Sequence, residues 1–229
     1  MEKETTNWKI GDAVLYKNNQ LIAFRKPAGV PVQADKTGDK SLLDLAEIYG
    51  KSPMKLIHRL DRPASGIVLI AQNKGAAATM SQRFRDKEVR KIYLVVIKNK
   101  PEKDKDTLVH YLRKSSKNNQ TRVFEKEEKD TKRAELKYEV IGSSDNYHLL
   151  KVELMTGRYH QIRAQFGAIG SPIKGDVKYG FRRGNRDRSI DLHAWKLSFK
   201  HPVSNEKVDL VADCPEGGVW DAFREMKVI

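Results

Sequence analysis

The segment Lys91-Ile92-Tyr93-Leu94-Val95-Val96-Ile97 constrains the fold more than any other stretch of the chain, because it has no polar face. Ile92, Leu94 and Val96 alternate with Tyr93, Val95 and Ile97, so as a strand it presents apolar side chains in both directions. Such a strand must be covered on both sides, which places it centrally in a sheet with further structure packed on each face. A tyrosine in that setting is, by default, a core residue.

The flanking segments supply the rest of a sheet. Ala13–Tyr16 and Leu21–Phe24, separated by Lys17–Gln20, read as a strand pair that ends at Lys26-Pro27, after which Pro27, Gly29 and Pro31 predict a directed loop. Ser41 with Asp44 three residues on resembles a capping box, opening a helix with Leu42, Leu45 and Tyr49 on one face and Gly50 at its end. Ile67–Ala71 is a compact strand, and Asn73 is placed to cap a helix carrying Ala76, Ala77, Met80 and Phe84 on one side. Leu108–Leu112 and Thr121–Phe124 predict short strands in a highly charged region. Ala134, Leu136, Tyr138 and Val140 alternate with polar residues as a half-buried strand, turned at 142–146 into Tyr147–Leu154. Thr156 is placed to cap a helix aligning Ile162, Phe166 and Ile169, stopped by Gly170, with Arg158 in its first turn. Trp195, Leu197 and Phe199 mark a late strand, and Trp220 with Phe223 a closing helical turn. Strands outnumber helices without βαβ alternation, so the fold class is α+β with a central, mostly antiparallel mixed sheet and flanking helices.

Charge bears on the partner. The chain has 229 residues, with 44 Lys and Arg against 30 Asp and Glu, a net +14. A field of that sign concentrates polyanions, though a basic surplus alone also serves solubility. Residues 158–188 hold eight Lys/Arg against two acids, a local +6 that favours a docking surface for phosphates. The single cysteine, Cys214, excludes an intramolecular disulfide framework and a cysteine-based zinc cluster. The polar N-terminus and the lack of any apolar run of membrane-spanning length point to a cytoplasmic protein with no membrane partner.

The chemistry concentrates in two segments. His58-Arg59-Leu60-Asp61-Arg62-Pro63-Ala64-Ser65-Gly66 puts Asp61 on a constrained loop running into a strand. Alone, a loop aspartate between two arginines is more often a surface ion pair or turn former. Thr156-Gly157-Arg158-Tyr159-His160-Gln161-Ile162-Arg163 crowds polar groups at a helix start, with His160 and Arg163 three apart on one face; an exposed basic helix would look the same.

These two segments, with Lys91–Val96, Lys26-Pro27-Ala28-Gly29, Gly170–Asp176 and Tyr179-Gly180, resemble the RluA family of pseudouridine synthases in order and over most of the chain. The resemblance implies one catalytic domain over 1–229, with about ten residues of N-terminal extension, a sheet split by a basic RNA-binding cleft, and isomerisation of uridine to pseudouridine in ribosomal or transfer RNA. It implies Asp61 as the catalytic aspartate, Tyr93 stacked on the target base, Arg163 paired with Asp61, Arg59 entering the space of the flipped nucleotide and Ile162 walling the base. Arg158, His160 and Lys91 are further expected RNA contacts; no metal, organic cofactor or DNA partner is expected, and a monomer is. Ala64 stands where the family usually has threonine, and the chain has too few residues before Lys26 for the accessory RNA-binding domain many members carry.

Those roles are chemically coherent. The glycosidic bond must break, the uracil turn, and its C5 rejoin C1′. Asp61 serves by attacking C1′ or by taking the C2′ proton, and either needs the carboxylate ionised; burial disfavours that charge and a contacting cation restores it. An RNA-binding protein without turnover, or a base-excising glycosidase with a second, water-activating carboxylate near Asp61, are the competing readings.

Overall fold

The computed structural model describes residues 8–115 and 118–229; most of the expected N-terminal extension lies outside them. In chain order the elements are β1 (Val14–Lys17), β2 (Leu21–Lys26), α1 (Leu42–Gly50), β3 (Lys55–Leu56), β4 (Ser65–Ala71), α2 (Lys74–Arg85), β5 (Arg90–Ile97), β6 (Lys105–Lys114), β7 (Thr121–Phe124), β8 (Lys132–Ser143), β9 (His148–Leu154), α3 (Gln161–Ala168), β10 (Leu192–Lys200), β11 (Lys207–Val211) and α4 (Val219–Glu225). The strands form one sheet in the order β1-β2-β4-β10-β5-β9-β8-β6-β7, with β3 added to β4 and β11 to β10.

β5 is the fifth of the nine strands on that path, between β10 and β9. Its two faces go to different cores. Tyr93, Val95 and Ile97 join Ile162 and Phe166 of α3, while Leu94 and Val96 pack with Trp220 and Phe223 of α4. A second pair of clusters sandwiches β2 and β4 in the same way: Leu21, Ala23, Ile67 and Leu69 meet α2 on one face, and Ile22, Phe24, Val68 and Ile70 meet α1 on the other.

Among the described residues all strand pairs are antiparallel except one. β4 and β10 run parallel and share only two register pairs, His193 with Ser65 and Ala194 with Gly66. Because β5 occupies the other edge of β10, β11 takes over this edge from Lys196 onward, and β4 and β10 part. The loop that carries Asp61 lies at the end where the two strands still meet, held there by Ile190 N donating to the Pro63 carbonyl at 3.0 Å. Gly66 is required here: it sits at φ +113°, and a Cβ would lie 2.3 Å from the Ala194 carbonyl oxygen and 2.5 Å from its nitrogen. Ser65 Oγ meets His193 Nδ1 at 2.8 Å, and His193 Nε2 donates to the Ala212 carbonyl at 3.0 Å, so the parting point is also cross-braced.

Two helix ends differ from expectation. The capping box of Ser41 and Asp44 is present, but α1 includes Gly50 and the left-handed C-cap residue is Lys51 (φ 51°). α3 starts at Gln161, with His160 rather than Thr156 at its N-cap, in the left-handed region at φ 51°. Thr156 instead ties the preceding turn together, its hydroxyl accepting from Glu135 N and meeting Gln161 Oε1 at 2.8 Å. Arg158 therefore lies before the helix, not in its first turn, and donates from Nε to the Arg133 carbonyl.

Candidate active site

The carbonyls of residues 61, 62 and 63 are each bonded, which fixes the backbone of the Asp61 loop without help from side-chain hydroxyls. Ala64 N donates to the Asp61 carbonyl at 3.1 Å, Gly29 N to that of Arg62 at 2.8 Å, and Ile190 N to that of Pro63 at 3.0 Å. Lys26 is wholly buried, and its Nζ also donates to the Arg62 carbonyl, as well as to those of Pro27 and Val30. Three carbonyls match the three donors of an ammonium. Burial pushes Lys26 down to about 7, opposed by the charge of Asp61. On the outside, the Arg62 guanidinium is tied to Asp35, Asp39 and Thr37. Ala64 is fully buried in the cluster with Tyr93 and Ile162, so the missing threonine hydroxyl leaves a packed methyl and an intact loop.

Asp61 keeps about a fifth of its side chain exposed, and its Oδ2 accepts from Arg163 Nη1 at 3.0 Å. Arg163 is 4% exposed and is gripped from behind by Asp176, 1% exposed: Nε donates to Oδ2 at 2.7 Å and Nη2 to Oδ1 at 2.9 Å. Burial alone would lower the Arg163 pKa, but the hydrogen bonds of Asp176 and the two carboxylate charges outweigh it and hold the guanidinium above its ordinary value. One planar fork thus bridges two carboxylates, a geometry that lysine cannot reproduce. Both Asp176 oxygens are engaged by Arg163, which leaves Asp61 as the carboxylate facing the cavity.

α3 can carry a buried arginine because its other polar groups are also satisfied. Gln161 Nε2 donates to the Glu135 carbonyl, and Gln165 Nε2 to that of Leu108. Residues 161–166 are all buried, so the helix is an internal element rather than an exposed basic one.

His160 projects toward the same carboxylate. Thr121 N donates to the Tyr179 hydroxyl at 2.8 Å, which directs the hydroxyl proton to His160 Nδ1 at 2.9 Å. The ring proton then sits on Nε2, 3.8 Å from Asp61 Oδ2. Burial lowers His160 to about 4, with Asp61 opposing, so the imidazole is neutral at pH 7. Its face stacks on Tyr159 at 3.9 Å between centroids, and Arg59 and Lys114 lie over the Tyr159 ring at 5.3 and 4.5 Å.

A cavity of about 580 Å³ gathers these groups: Asp61, Tyr93, His160, Ile162 and Arg163 line it together with Arg59, Lys91 and Arg158. All eight residues singled out in the sequence therefore border one space. Tyr93 is 9% exposed, and burial, with the charge of Asp61, raises its phenol further above its ordinary range. Burial, then Lys87, depresses the Lys91 ammonium. His58, first in the motif, serves the scaffold: its Nε2 accepts from Leu69 N at 3.0 Å and its ring stacks on Phe84. Burial pushes it to about 3.

The basic stretch 158–188 is not uniform. Arg163 is internal, and Lys174 pairs with the buried Asp191 at 2.6 Å, while the other six cations are exposed. Among the described residues no cluster of three or more His, Cys, Asp or Glu is arranged to hold a metal ion.

The human RNA pseudouridylate synthase domain containing proteins 4 and 1 share this fold. Their TM-scores are 0.77 and 0.72 over 94% of this chain and 93% and 94% of theirs, at 22% and 20% identity. The profile of the RNA pseudouridylate synthase family matches residues 20–168. The ribosomal large subunit pseudouridine synthase C of Rickettsia bellii is 32% identical over 207 residues, 88% of this chain and 68% of that protein. The uncharacterized RNA pseudouridine synthase YlyB of Bacillus subtilis is 29% identical over 212 residues, 89% of this chain and 69% of its own length. The chain belongs to the RNA pseudouridylate synthase family, of the RluA type, and is an isomerase that converts uridine to pseudouridine in RNA.

Proposed function

We propose that Asp61 is the carboxylate that attacks C1′ of the target uridine or takes its C2′ proton, in ribosomal RNA first and transfer RNA second. The bridge Asp61–Arg163–Asp176 carries this reading. Arg163 engages Oδ2, which leaves Oδ1 free to meet the sugar, and the buried guanidinium stays paired to the carboxylate from behind. Glycosidic cleavage builds positive charge on the sugar, which a carboxylate beneath it stabilises, as in retaining glycosidases. The uracil remains in the cavity, turns, and bonds through C5.

Flipping the nucleotide out of a helix costs roughly a few kcal/mol. Stacking on Tyr93 against Ile162, with Arg59 entering the vacated stack, offsets that cost. Arg59 is suited to it because it is exposed and held over the Tyr159 ring rather than by an acid. Arg158, His160 and Lys91 contact the adjoining backbone. The engagement of both Asp176 oxygens argues against a glycosidase, which needs a second carboxylate free to activate water.

The ribosomal substrate is favoured because the Rickettsia relative is named for the large ribosomal subunit. The described residues act as one catalytic domain, as a monomer in the cytoplasm, on RNA and not DNA. Mapping pseudouridines in ribosomal and transfer RNA from cells with and without the gene tests it: at least one ribosomal position should revert to uridine, and an unchanged ribosomal map would overturn the assignment.

A further inference from the structure

A second cavity, of about 430 Å³, lies at the other end of β5 and takes no part in the chemistry above. Lys98, Asn99, Tyr147, Phe181, Arg182 and Arg183 line it. Its composition is three cations and two half-buried aromatic rings, with no acid in the lining. Among the described residues Lys98, Arg182 and Arg183 have no ion-pair partner, and Arg182 and Arg183 are exposed. Unpaired cations beside aromatic faces suit a single-stranded nucleic acid, whose bases stack on rings while its phosphates meet the charges. A protein or membrane partner would leave either the rings or the density of charge without a purpose.

The chain path joins this cavity to the active site. Asp176, which grips Arg163, accepts through its carbonyl from Phe181 N at 3.0 Å. Between them a single 3₁₀ turn, Val177–Tyr179, sends Tyr179 to His160, and Gly180 at φ +104° reverses the chain so that Phe181, Arg182 and Arg183 enter the second cavity. Along β5, Tyr93 and Lys98 are separated by about 17 Å, five residues at strand rise. Tyr93 and Tyr147 belong to clusters on opposite faces of β5, so an RNA that reaches both cavities passes around the C-terminal end of that strand.

We infer that this cavity binds an unpaired nucleotide of the substrate RNA that flanks the target uridine, its base stacking on Phe181 and its phosphates meeting Lys98, Arg182 and Arg183. The inference rests on RNA being the substrate. Affinity for a labelled 15-nucleotide single-stranded RNA of mixed sequence, measured by fluorescence anisotropy over a salt series, tests it. The proteins are wild type, Phe181→Ala, the triple variant Lys98→Ala/Arg182→Ala/Arg183→Ala, and a charge-matched control, Lys55→Ala/Lys74→Ala/Lys200→Ala, at exposed sites on other elements. Phe181→Ala, which changes no charge, should weaken binding about tenfold with an unchanged melting temperature. The cavity triple should lower the salt slope by about 2, at about 0.7 per lost single-strand phosphate contact, and the control by less than 1. Equal losses in the two triple variants, or an unchanged Phe181→Ala, would overturn the inference while leaving the RNA reading intact. Failure of the wild type itself to bind would instead strike that reading.

Discussion

Removing the grip of Asp176 should separate what holds Arg163 from what Arg163 does. In Asp176→Asn the backbone bonds of residue 176 persist, but the Nε and Nη2 donors of a 4% exposed guanidinium face a neutral amide with one acceptor in place of two. Breaking a buried pair by neutralising one partner costs about 3–5 kcal/mol. Arg163 keeps Asp61, so the lower end is expected, about 3 kcal/mol, a substantial part of the 5–15 kcal/mol typical of a domain. Urea unfolding reads this as a lower midpoint with an unchanged slope. The second effect is catalytic. With its rear anchor gone, the guanidinium shifts, and a displacement of about 1 Å costs on the order of a hundredfold. Tritium release from RNA labelled at uracil C5, assayed well below the melting temperature, measures that loss. Asp191→Asn is the control: Asp191 is buried and pairs with Lys174 at 2.6 Å, yet does not line the cavity of Asp61. It should lose comparable stability and keep its turnover rate within a few-fold. If Asp176→Asn turns over like wild type while folded, or if Asp191→Asn loses as much activity, the positioning argument is wrong.

Gly66→Val should abolish soluble folded protein or lower its melting temperature severely, since its Cβ would overlap the Ala194 backbone; a well-folded, active variant would refute the close approach of β4 and β10. The buried histidines predict acid sensitivity. Burial lowers His58 to about 3 and His193 to about 4 from an ordinary 6.5. Between those values the unfolded chain binds protons that the native state does not, so stability is full above pH 6.5 and falls as the pH drops toward 4. Each histidine contributes up to about 1.4 kcal/mol per pH unit within the window. Urea midpoints at pH 4.5, 5.5 and 7 should decline in that order, and His193→Gln should flatten the decline; equal midpoints would contradict it.

Periodicity carried most of the sheet. β5 was legible because apolar residues on both faces admit only a central strand, and β8 because its alternation admits only a half-buried one. The start of α3 was not legible. Thr156 is a good cap in isolation, but its hydroxyl is drawn to Glu135 on β8, a contact 21 residues away that no local pattern encodes. β10 was read only in part, and its parallel contact with β4 not at all, because pairing across more than a hundred residues leaves no signature in either strand. The site divided in the same way. Asp61 and Arg163 stood in motifs, whereas the grip of Asp176 and the buried ammonium of Lys26 depend on tertiary placement. Gly-Asp and Lys-Pro in the sequence mark their positions without their roles. The arithmetic of the basic stretch also misled by two, since a count of cations does not distinguish the buried Arg163 or the paired Lys174 from those that face solvent.

The central claim is that the Asp61 carboxylate, and not the cleft around it, performs the isomerisation. Asp61→Asn keeps the shape and an acceptor for Arg163 Nη1 while removing the charge. In the C5-tritium release assay this variant should fall to background while its affinity for the same RNA stays within a few-fold of wild type. Tritium release at a wild-type rate would contradict the account, whatever the affinity.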